Sequence, residues 1–582
     1  MQKTRQANST WQSFLSKLPQ ILLIGFTLWF IVAFLIYPET DTIINALWTE
    51  GRLNTEGFQK ILNSERAMRA IQNSVLLAVI LTVTANIVGV FLVLVTDYFD
   101  IKGSKFLRIA FMSTLLFGGL ILNNGYLFVY GPNGIVTNLL TGIFPNFDVN
   151  WFSGFPAVLI VMSFATTHSH MIFLRNAINN LDNNVINAAK NLGATQWEII
   201  RDIVFPSIRP VLITLIILVF STGLNAFAAP LMVGGTEFQT IAPLILTFAQ
   251  RPGSQDLAAI LSVLLGVTQV ILLLLLTFNE RRSNFRGVSK TQTKFKKQKI
   301  EHPVVNTIVH ILAYLLFIIY ILPPVMIVLF SFMDTSAIAY SQWSLSSFTL
   351  EHYASIFLNP NTYGPLLRSI LYSGVAALFV VLFMLLVVRL IMNDKANKWV
   401  RSLELPFYIP WLLPAILIAL GYVLTYDSPS TLLFGNSVIG ATWVIPIAYA
   451  VIVMPITIRY IKAAYYSFDS NLESASKNLG ASDIRTFIQI VIPALLPTLL
   501  ALIALNFNSN LAEYNMSAFL YQPGAETLGV VIRQNASPSQ TIDAAAINLV
   551  YSVVTMLISA ICLYFIYGRG TKLGERQSGY LN

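Results

Sequence analysis

Polar side chains are rare in the apolar stretches of this 582-residue chain, and those that occur there are the first candidates for chemistry. Asn506, Asn510 and Glu513 follow an i, i+4, i+7 spacing, which places them on one face of a helix. Because polar groups inside apolar helices are costly and often functional, this face could line a solute path, and its one carboxylate is compatible with a cationic solute. A polar seam between helices, or a water-exposed helix end, would use the same residues. Asn225 is a further path candidate in the first half of the chain.

Motifs for catalysis or metal binding do not occur in the sequence. His168 and His170 are two positions apart, so on a helix they point to different faces, and interhelical hydrogen bonding is the simpler interpretation. The one cysteine, Cys562, lies in an apolar run, which excludes an intramolecular disulfide and a cysteine-based metal site. Neither a phosphate-binding G-x-x-x-x-G-K-[ST] loop nor an H-E-x-x-H motif is present. We therefore expect no catalytic residue, no metal site and no cofactor on this chain.

One polar segment is written twice. Residues 183–210 read NNVINAAKNLGATQWEIIRDIVFPSIRP, and residues 470–497 read SNLESASKNLGASDIRTFIQIVIPALLP. Both contain K-N-L-G-A followed by a later proline, and the two glycines, Gly193 and Gly480, are 287 residues apart. One copy alone would suit an ordinary amphipathic loop. Two copies in an apolar protein indicate a surface that docks a partner twice, and we name residues 183–206 and 470–493 the first and second repeated loops.

Each repeated loop is predicted to be a short helix, a glycine turn and a second helix. Asn183 or Asn184 can cap the first helix, and Gly193 can end it in a left-handed conformation. Thr195 can cap the second helix, residues 196–204, which Pro206 is expected to close. The second loop repeats these features with Asn471, Gly480, Ser482 and Pro493.

Composition indicates the elements that carry these loops. The chain is 55% hydrophobic and only 11% charged, whereas soluble domains carry roughly 25% charged residues. Because a membrane-spanning helix needs about 20 apolar residues, we predict an all-α polytopic membrane protein with about twelve transmembrane helices in two pseudo-symmetric six-helix halves. The predicted spans are 19–37, 73–96, 108–130, 156–176, 208–231 and 257–278 in the first half, and 305–330, 367–391, 405–426, 438–458, 494–515 and 544–566 in the second.

Charge sets the predicted boundaries and orientation. We expect a first half at 1–279, a basic linker at 280–303 and a second half at 304–582. The linker carries eight lysines and arginines, so by the positive-inside rule the linker, both termini and both repeated loops are expected to be cytoplasmic. We interpret the linker as a solvated tether. A lipid-headgroup or nucleic-acid patch is the alternative, and no nucleic-acid partner is expected.

The repeated loops resemble the "EAA" loop, E-A-A-x-x-x-G-A with a distal I-x-x-P, of permease subunits in type I binding-protein-dependent ABC importers. The resemblance covers nearly the whole chain as two fused permease units. It implies the type I ABC importer fold and a coupling role for both loops, each seated in a groove of an ATPase subunit. The residues carried over are Asn187, Ala188, Ala189, Gly193, Ala194 and Pro206 in the first loop, and Ser474, Ala475, Ser476, Gly480, Ala481 and Pro493 in the second.

The loops depart from that pattern at its glutamate. Asn187 and Ser474 stand where the family has the acid, although Glu473 is one residue earlier. The resemblance therefore implies coupling to the ATPase that differs between the two halves.

The fused form most resembles ferric-iron importer permeases. Stretches AFAAPLMVGG, from Ala226, and AEYNMSAFLYQP, from Ala512, resemble segments of that group. The resemblance implies a bacterial cytoplasmic (inner) membrane location, two copies of a cytoplasmic ATPase that bind ATP and Mg, an external solute-binding protein and contact with membrane lipid. Related groups import polyamines, thiamine, phosphonates or sugar phosphates, and sulfate-type anions. The alternative classes are an ion-gradient-driven secondary transporter and, more distantly, a channel or scaffold.

Overall fold

The computed structural model describes residues 18–49, 51–115, 119–283, 295–340, 344–393, 398–536 and 541–564. Within these ranges ten helices are long and apolar enough to cross a membrane. One bent pair of shorter helices raises the number to eleven if the pair counts as one span. The ten helices are Leu18–Leu47, Glu65–Tyr98, Gly154–Asn179, Gln196–Leu224, Gln255–Asn279, Pro303–Phe330, Pro360–Met392, Val444–Ser467, Asp483–Asn510 and Ile542–Cys562. The all-α membrane fold is therefore confirmed.

Two of the twelve predicted spans have no counterpart among these ten helices. The ninth, 405–426, corresponds to Lys398–Leu412 and Ala415–Thr425, which meet at 103°. Pro414 follows the break, and Leu413 before it is extended (φ −114°, ψ 142°), since a residue that precedes proline avoids the helical region. The third, 108–130, corresponds to Ser104–Met112 and Gly119–Tyr130, with residues 116–118 outside the described ranges.

Shorter elements connect the spans. The helices among them are Thr55–Asn63, Ile135–Ile143, Asn183–Asn191, Ala228–Val233, Ile241–Ala249, Thr335–Tyr340, Glu351–Leu358, Ser470–Asn478, Ser517–Leu520 and Leu528–Asn535. Short 3-10 helices occupy Ser113–Leu115, Leu345–Ser347, Leu405–Tyr408 and Thr431–Leu433. Trp48–Thr49 and Arg52–Leu53 form a two-stranded antiparallel sheet in which Trp48 faces Leu53. The described residues are otherwise helical or irregular.

The chain divides into two compact units that do not follow chain order. The first contains the described parts of Met1–Asn54, Pro365–Thr527 and Ile558–Asn582, and the second contains those of Thr55–Gly364 and Leu528–Leu557. The N-terminal helix thus belongs with residues of the second half, and Pro303–Phe330 belongs with residues of the first half. The predicted halves, 1–279 and 304–582, therefore follow the order of the chain, whereas each compact unit combines residues of both halves.

The core of the first unit is aromatic and is built around the N-terminal helix. Phe30 and Phe34 are buried there, with the Phe30 and Phe383 ring centroids 5.3 Å apart. The helix contains a π turn at Val32–Ile36. Carbonyl oxygens of this turn accept hydrogen bonds from two tyrosine hydroxyls, Tyr422 to Phe34 (2.8 Å) and Tyr426 to Ala33 (2.6 Å), so the polar atoms of the buried turn are paired.

The second unit depends on close approach between helices. At Gly223, a Cβ would lie 2.6 Å from Ala78 Cα, so this glycine allows helix Phe205–Leu224 to pack against helix Glu65–Val93. At Gly89, a Cβ would overlap the His170 ring. His170 Nε2 lies 3.1 Å from Asn86 Oδ1, which confirms interhelical hydrogen bonding for this histidine. These contacts fix the spans from which the first repeated loop emerges.

Candidate docking loops

The first helices of the two repeated loops have the same backbone design. Helix Asn183–Asn191 ends before Gly193 (φ 86°), and helix Ser470–Asn478 ends before Gly480 (φ 83°). The Gly193 N–H donates to the Lys190 carbonyl and the Gly480 N–H to the Lys477 carbonyl, both at 2.9 Å. The predicted left-handed glycine turn is confirmed in both copies, where a side chain would strain the backbone.

The caps of these first helices differ from the prediction. The carboxylate of Asp182 accepts the Asn184 N–H at 3.0 Å, and that of Asp469 accepts the Asn471 N–H at 2.9 Å. The prediction of Asn183, Asn184 or Asn471 as the cap was wrong by one or two residues. An acid at this position also complements the helix dipole.

The second helices begin at the predicted caps. Thr195 and Glu198 form a capping box, in which the Thr195 N–H donates to the Glu198 carboxylate at 2.7 Å. Ser482 Oγ accepts the Arg485 N–H at 3.3 Å. Both loops therefore enter the membrane through a capped helix start.

Neither proline closes its helix, which corrects the prediction for Pro206. Each is preceded by a π turn, Ile200–Val204 before Pro206 and Phe487–Val491 before Pro493. The N–H of the residue before each proline donates to the carbonyl five positions back, as Phe205 does to Ile200. The wider turn accommodates a residue without an N–H, so the helix continues into the span.

Most residues predicted to match the coupling motif lie on the surface of the loops. Asn187, Ala188, Ser474 and Ala475 are exposed, as are Gly193 and Gly480; Ala189, Ala194 and Ala481 are half-buried. The buried position is Ser476, whose hydroxyl lies 2.9 Å from that of Thr486. Small side chains thus leave an accessible helix face in each loop.

Large apolar side chains beside this face were missed by the sequence analysis. Leu192 is 88% exposed and its counterpart Leu479 is 89% exposed. Trp197 and its counterpart Ile484 are each 66% exposed. The two members of each pair are 287 residues apart, as the two glycines are. This repeat spacing was the sequence signal that could have identified them. We name these four residues the apolar pairs.

Glu473, the one acid near the missing glutamate position, is bound within the chain. Its carboxylate lies 2.6 Å from the Arg389 guanidinium, and both side chains are mostly buried. The Arg389 guanidinium also lies 5.3 Å from the centre of the Phe487 ring. Glu473 therefore anchors the second loop to helix Pro360–Asn393.

The predicted path residues make contacts between and within helices. Asn506 donates to Thr457 Oγ1 at 2.9 Å, and Asn510 donates to the Tyr449 carbonyl at 3.4 Å. Glu513 accepts the Met516 N–H at 3.0 Å, one residue before helix Ser517–Leu520 begins. Asn225 donates to Gln269 Oε1 at 2.8 Å. These are the contacts of a polar seam, and a path role for the four residues stays a prediction. Among the described residues no group of three or more His, Cys, Asp or Glu is placed to hold a metal ion.

Comparison with known proteins agrees with this arrangement. The family model "Binding-protein-dependent transport system inner membrane component" matches twice, at residues 106–284 and 305–572. The "Probable ABC transporter permease protein y4fN" of Sinorhizobium fredii is 34% identical, over 91% of this chain and 93% of that protein. The "Ferric transport system permease protein FbpB" of Actinobacillus pleuropneumoniae is 24% identical, over 91% of this chain and 76% of that protein.

A solved bacterial ABC transporter, described as involved in the import of the acidic polysaccharide alginate, overlaps 47% of this chain and 98% of its own at 16% identity. Its TM-score of 0.39 is too low to support an argument about this chain. The double family match and the 34% identical relative are sufficient: the chain is a fused double permease of ABC transporters and belongs to the family of binding-protein-dependent transport system inner membrane components.

Proposed function

We propose that this ABC importer permease carries ferric iron across the bacterial inner membrane and that two copies of a separate cytoplasmic ATPase dock on its repeated loops. The observation that carries the docking proposal is the matched exposure of the apolar pairs. Leu192 with Leu479, and Trp197 with Ile484, present the same apolar surface at the same place in each loop. Apolar side chains exposed in matching positions are what a repeated protein interface requires.

In this proposal the ATPase copies supply ATP and Mg binding, and an external binding protein delivers the solute. ATP binding closes the two ATPase copies, the loops move with them and the permease opens outward; hydrolysis resets it. Such a change requires contacts that differ between the two states, and the loops are the contacts that couple them. The N-terminus, the linker and the C-terminus are cytoplasmic, as the positive charges of the linker favour.

Ferric iron is favoured by the relative named as a ferric transport permease, which aligns with 91% of the chain. The described residues do not identify the solute by themselves, because they contain no group of three or more His, Cys, Asp or Glu that could hold a metal ion. The solute is expected to be recognised chiefly by the external binding protein.

A gentle detergent pull-down from native membranes, followed by quantitative mass spectrometry, tests the docking proposal. An ATPase recovered at two copies per permease supports it. A permease that comes down alone, even after crosslinking, refutes it.

The solute is tested separately with the co-purified binding protein. Ferric iron, thiamine, spermidine and 2-aminoethylphosphonate are compared for binding and for uptake into proteoliposomes that contain the full transporter. Uptake of ferric iron alone supports the iron proposal, and uptake of any of the other three replaces it.

A further inference from the structure

The end of the basic linker is a structured strap. Gln298 bridges to the chain after the second span, because its N–H donates to the Tyr98 carbonyl and its carbonyl accepts the Asp100 N–H, both at 2.9 Å. The Phe295 ring stacks on the Tyr98 ring with 5.4 Å between centroids. We name residues 295–301 the strap. The prediction of a solvated tether is wrong for these residues.

Lys297 fastens the strap through its ammonium group. Its Nζ donates to the Thr96 carbonyl and to Ser104 Oγ, each at 2.7 Å. Burial, with the neighbouring Arg108 cation, lowers the pKa of Lys297 from its usual range. A lysine held in this way acts as a structural contact, although its charge also suits a cytoplasmic linker.

The strap contacts both helices of the first repeated loop. Lys190 donates to Gln298 Oε1 at 2.7 Å. Gln196 donates to the Lys299 carbonyl at 2.8 Å and accepts the Glu301 N–H at 3.3 Å. The Lys296 N–H also reaches Asn183 Oδ1 at 3.4 Å. One extended segment therefore joins the two helices on either side of the Gly193 turn.

Among the described residues, the helices of the second repeated loop are joined by a direct ion pair instead. Lys477, the counterpart of Lys190, forms an ion pair at 2.7 Å with Asp483, the counterpart of Gln196. In the second loop these two positions bind each other, and in the first loop both bind the strap. Where the second loop has the carboxylate of Asp483, the first loop has the uncharged Gln196, and Lys190 binds Gln298 instead.

We propose that the strap positions the first repeated loop for docking, so that the two loops of this permease are held by different means. Gln298 is the central positioning residue, because it binds both the end of the second span and Lys190. The inference rests on the proposed docking function of the loops. It adds that the linker, beyond joining two halves, sets the stiffness of one docking site.

The test measures the mobility of each loop by spin labelling. Cys562, the one cysteine, is replaced by serine, and a single cysteine carrying a nitroxide label is placed at Ala188 or at its counterpart Ala475, both exposed. In Gln298→Ala, the mobile fraction of the label at position 188 should rise about tenfold or more, since a hydrogen bond to a charged group is lost. The label at position 475 should not change.

Matched variants separate positioning from general damage. Gln298→Glu keeps an acceptor for Lys190 and should restore the mobility of the unsubstituted loop. Lys299→Ala should change neither label, because Lys299 contributes its backbone carbonyl. Asp483→Asn should loosen position 475 and leave position 188 unchanged.

If Gln298→Ala does not fold, Lys190→Ala removes the same hydrogen bond by truncating the lysine of the loop. The mobile fraction of the label at position 188 should then rise in the same way. No change at position 188, or equal changes at both positions, overturns the proposal. Because these spectra are recorded without the ATPase, a failed strap is distinguishable from failed docking, which ATPase binding measures.

Discussion

Truncation of the two leucines of the apolar pairs should weaken ATPase binding strongly without affecting the fold. Leu192 and Leu479 are 88% and 89% exposed, so they contribute little to the packing of the permease itself. Burial of a leucine side chain in an interface is worth about 1.5–3 kcal/mol, and Leu→Ala forfeits about 2 kcal/mol of it. Each single variant should bind its ATPase copy about 30-fold more weakly.

In the double variant Leu192→Ala with Leu479→Ala, both copies should bind about 30-fold more weakly. If the copies bind independently, the product of the two binding constants should fall about 1,000-fold, or about 4 kcal/mol. The assay is titration of the permease in lipid nanodiscs with a fluorescently labelled ATPase. Leu345→Ala is the matched control, because Leu345 is 86% exposed and lies outside both repeated loops. Thermal unfolding should be unchanged in all four variants, which are the two single leucine variants, the double variant and Leu345→Ala.

A double variant that binds the ATPase within about threefold of the unsubstituted permease would refute the reasoning. The exposed leucines would then face lipid headgroups, as apolar side chains at a membrane surface commonly do. A loss of binding in Leu345→Ala of the same size would also contradict the assignment, since it would indicate nonspecific damage.

Three further predictions concern backbone, charge and packing. Gly193→Pro combined with Gly480→Pro should uncouple ATP hydrolysis from uptake in proteoliposomes while membrane insertion persists. The reason is that proline can neither adopt φ near +85° nor donate the hydrogen bond of the turn. Normal uptake by this double variant would contradict the docking role. Arg389→Ala should destabilise the permease by about 3 kcal/mol in detergent unfolding, because it leaves the mostly buried Glu473 carboxylate unpaired. Arg201→Ala is the control and should have little effect on unfolding, because Arg201 and Asp202 form an exposed pair. Gly89→Ala should lower the free energy of unfolding by about 1–3 kcal/mol, because the added methyl group overlaps the His170 ring. Gly374→Ala is the control, since there is open space at its Cβ position. Equal losses of stability in both variants would disprove the packing argument.

Hydropathy predicted most of the spans because a membrane-crossing helix must be apolar over its length. Predicted 367–391 lies within Pro360–Met392, and predicted 257–278 lies within Gln255–Asn279. Hydropathy does not register a bend inside an apolar run, so 405–426 was read as one helix. Pro414 carried the missing signal, because it holds Leu413 out of the helical region.

The loops were predicted in outline and missed in their contacts. Repetition of Gly193 and Gly480 was sufficient to predict the turns, since left-handed backbone favours glycine. Continuation of the helix through Pro206 depends on a π turn that no residue type announces. The strap was missed because composition counts the charge of Lys297 but does not reveal its two buried acceptors.

The alternative of an ion-gradient-driven transporter was wrong, because the chain belongs to a family of ABC transporter permeases.

The assignment of the N-terminal helix to the unit of Pro365–Thr527 has a consequence for how the protein is made. Helix Leu18–Leu47 leaves the ribosome before its aromatic partners, such as Phe383 and Tyr422, which emerge more than 300 residues later. At roughly 5–20 residues per second, the newborn helix waits about 15 to 60 s in the bilayer before it can pack. Helix Pro303–Phe330, by contrast, finds residues of its unit already synthesised. Separately expressed halves should therefore each lack a piece of their own core, and co-expression should be required to recover either one.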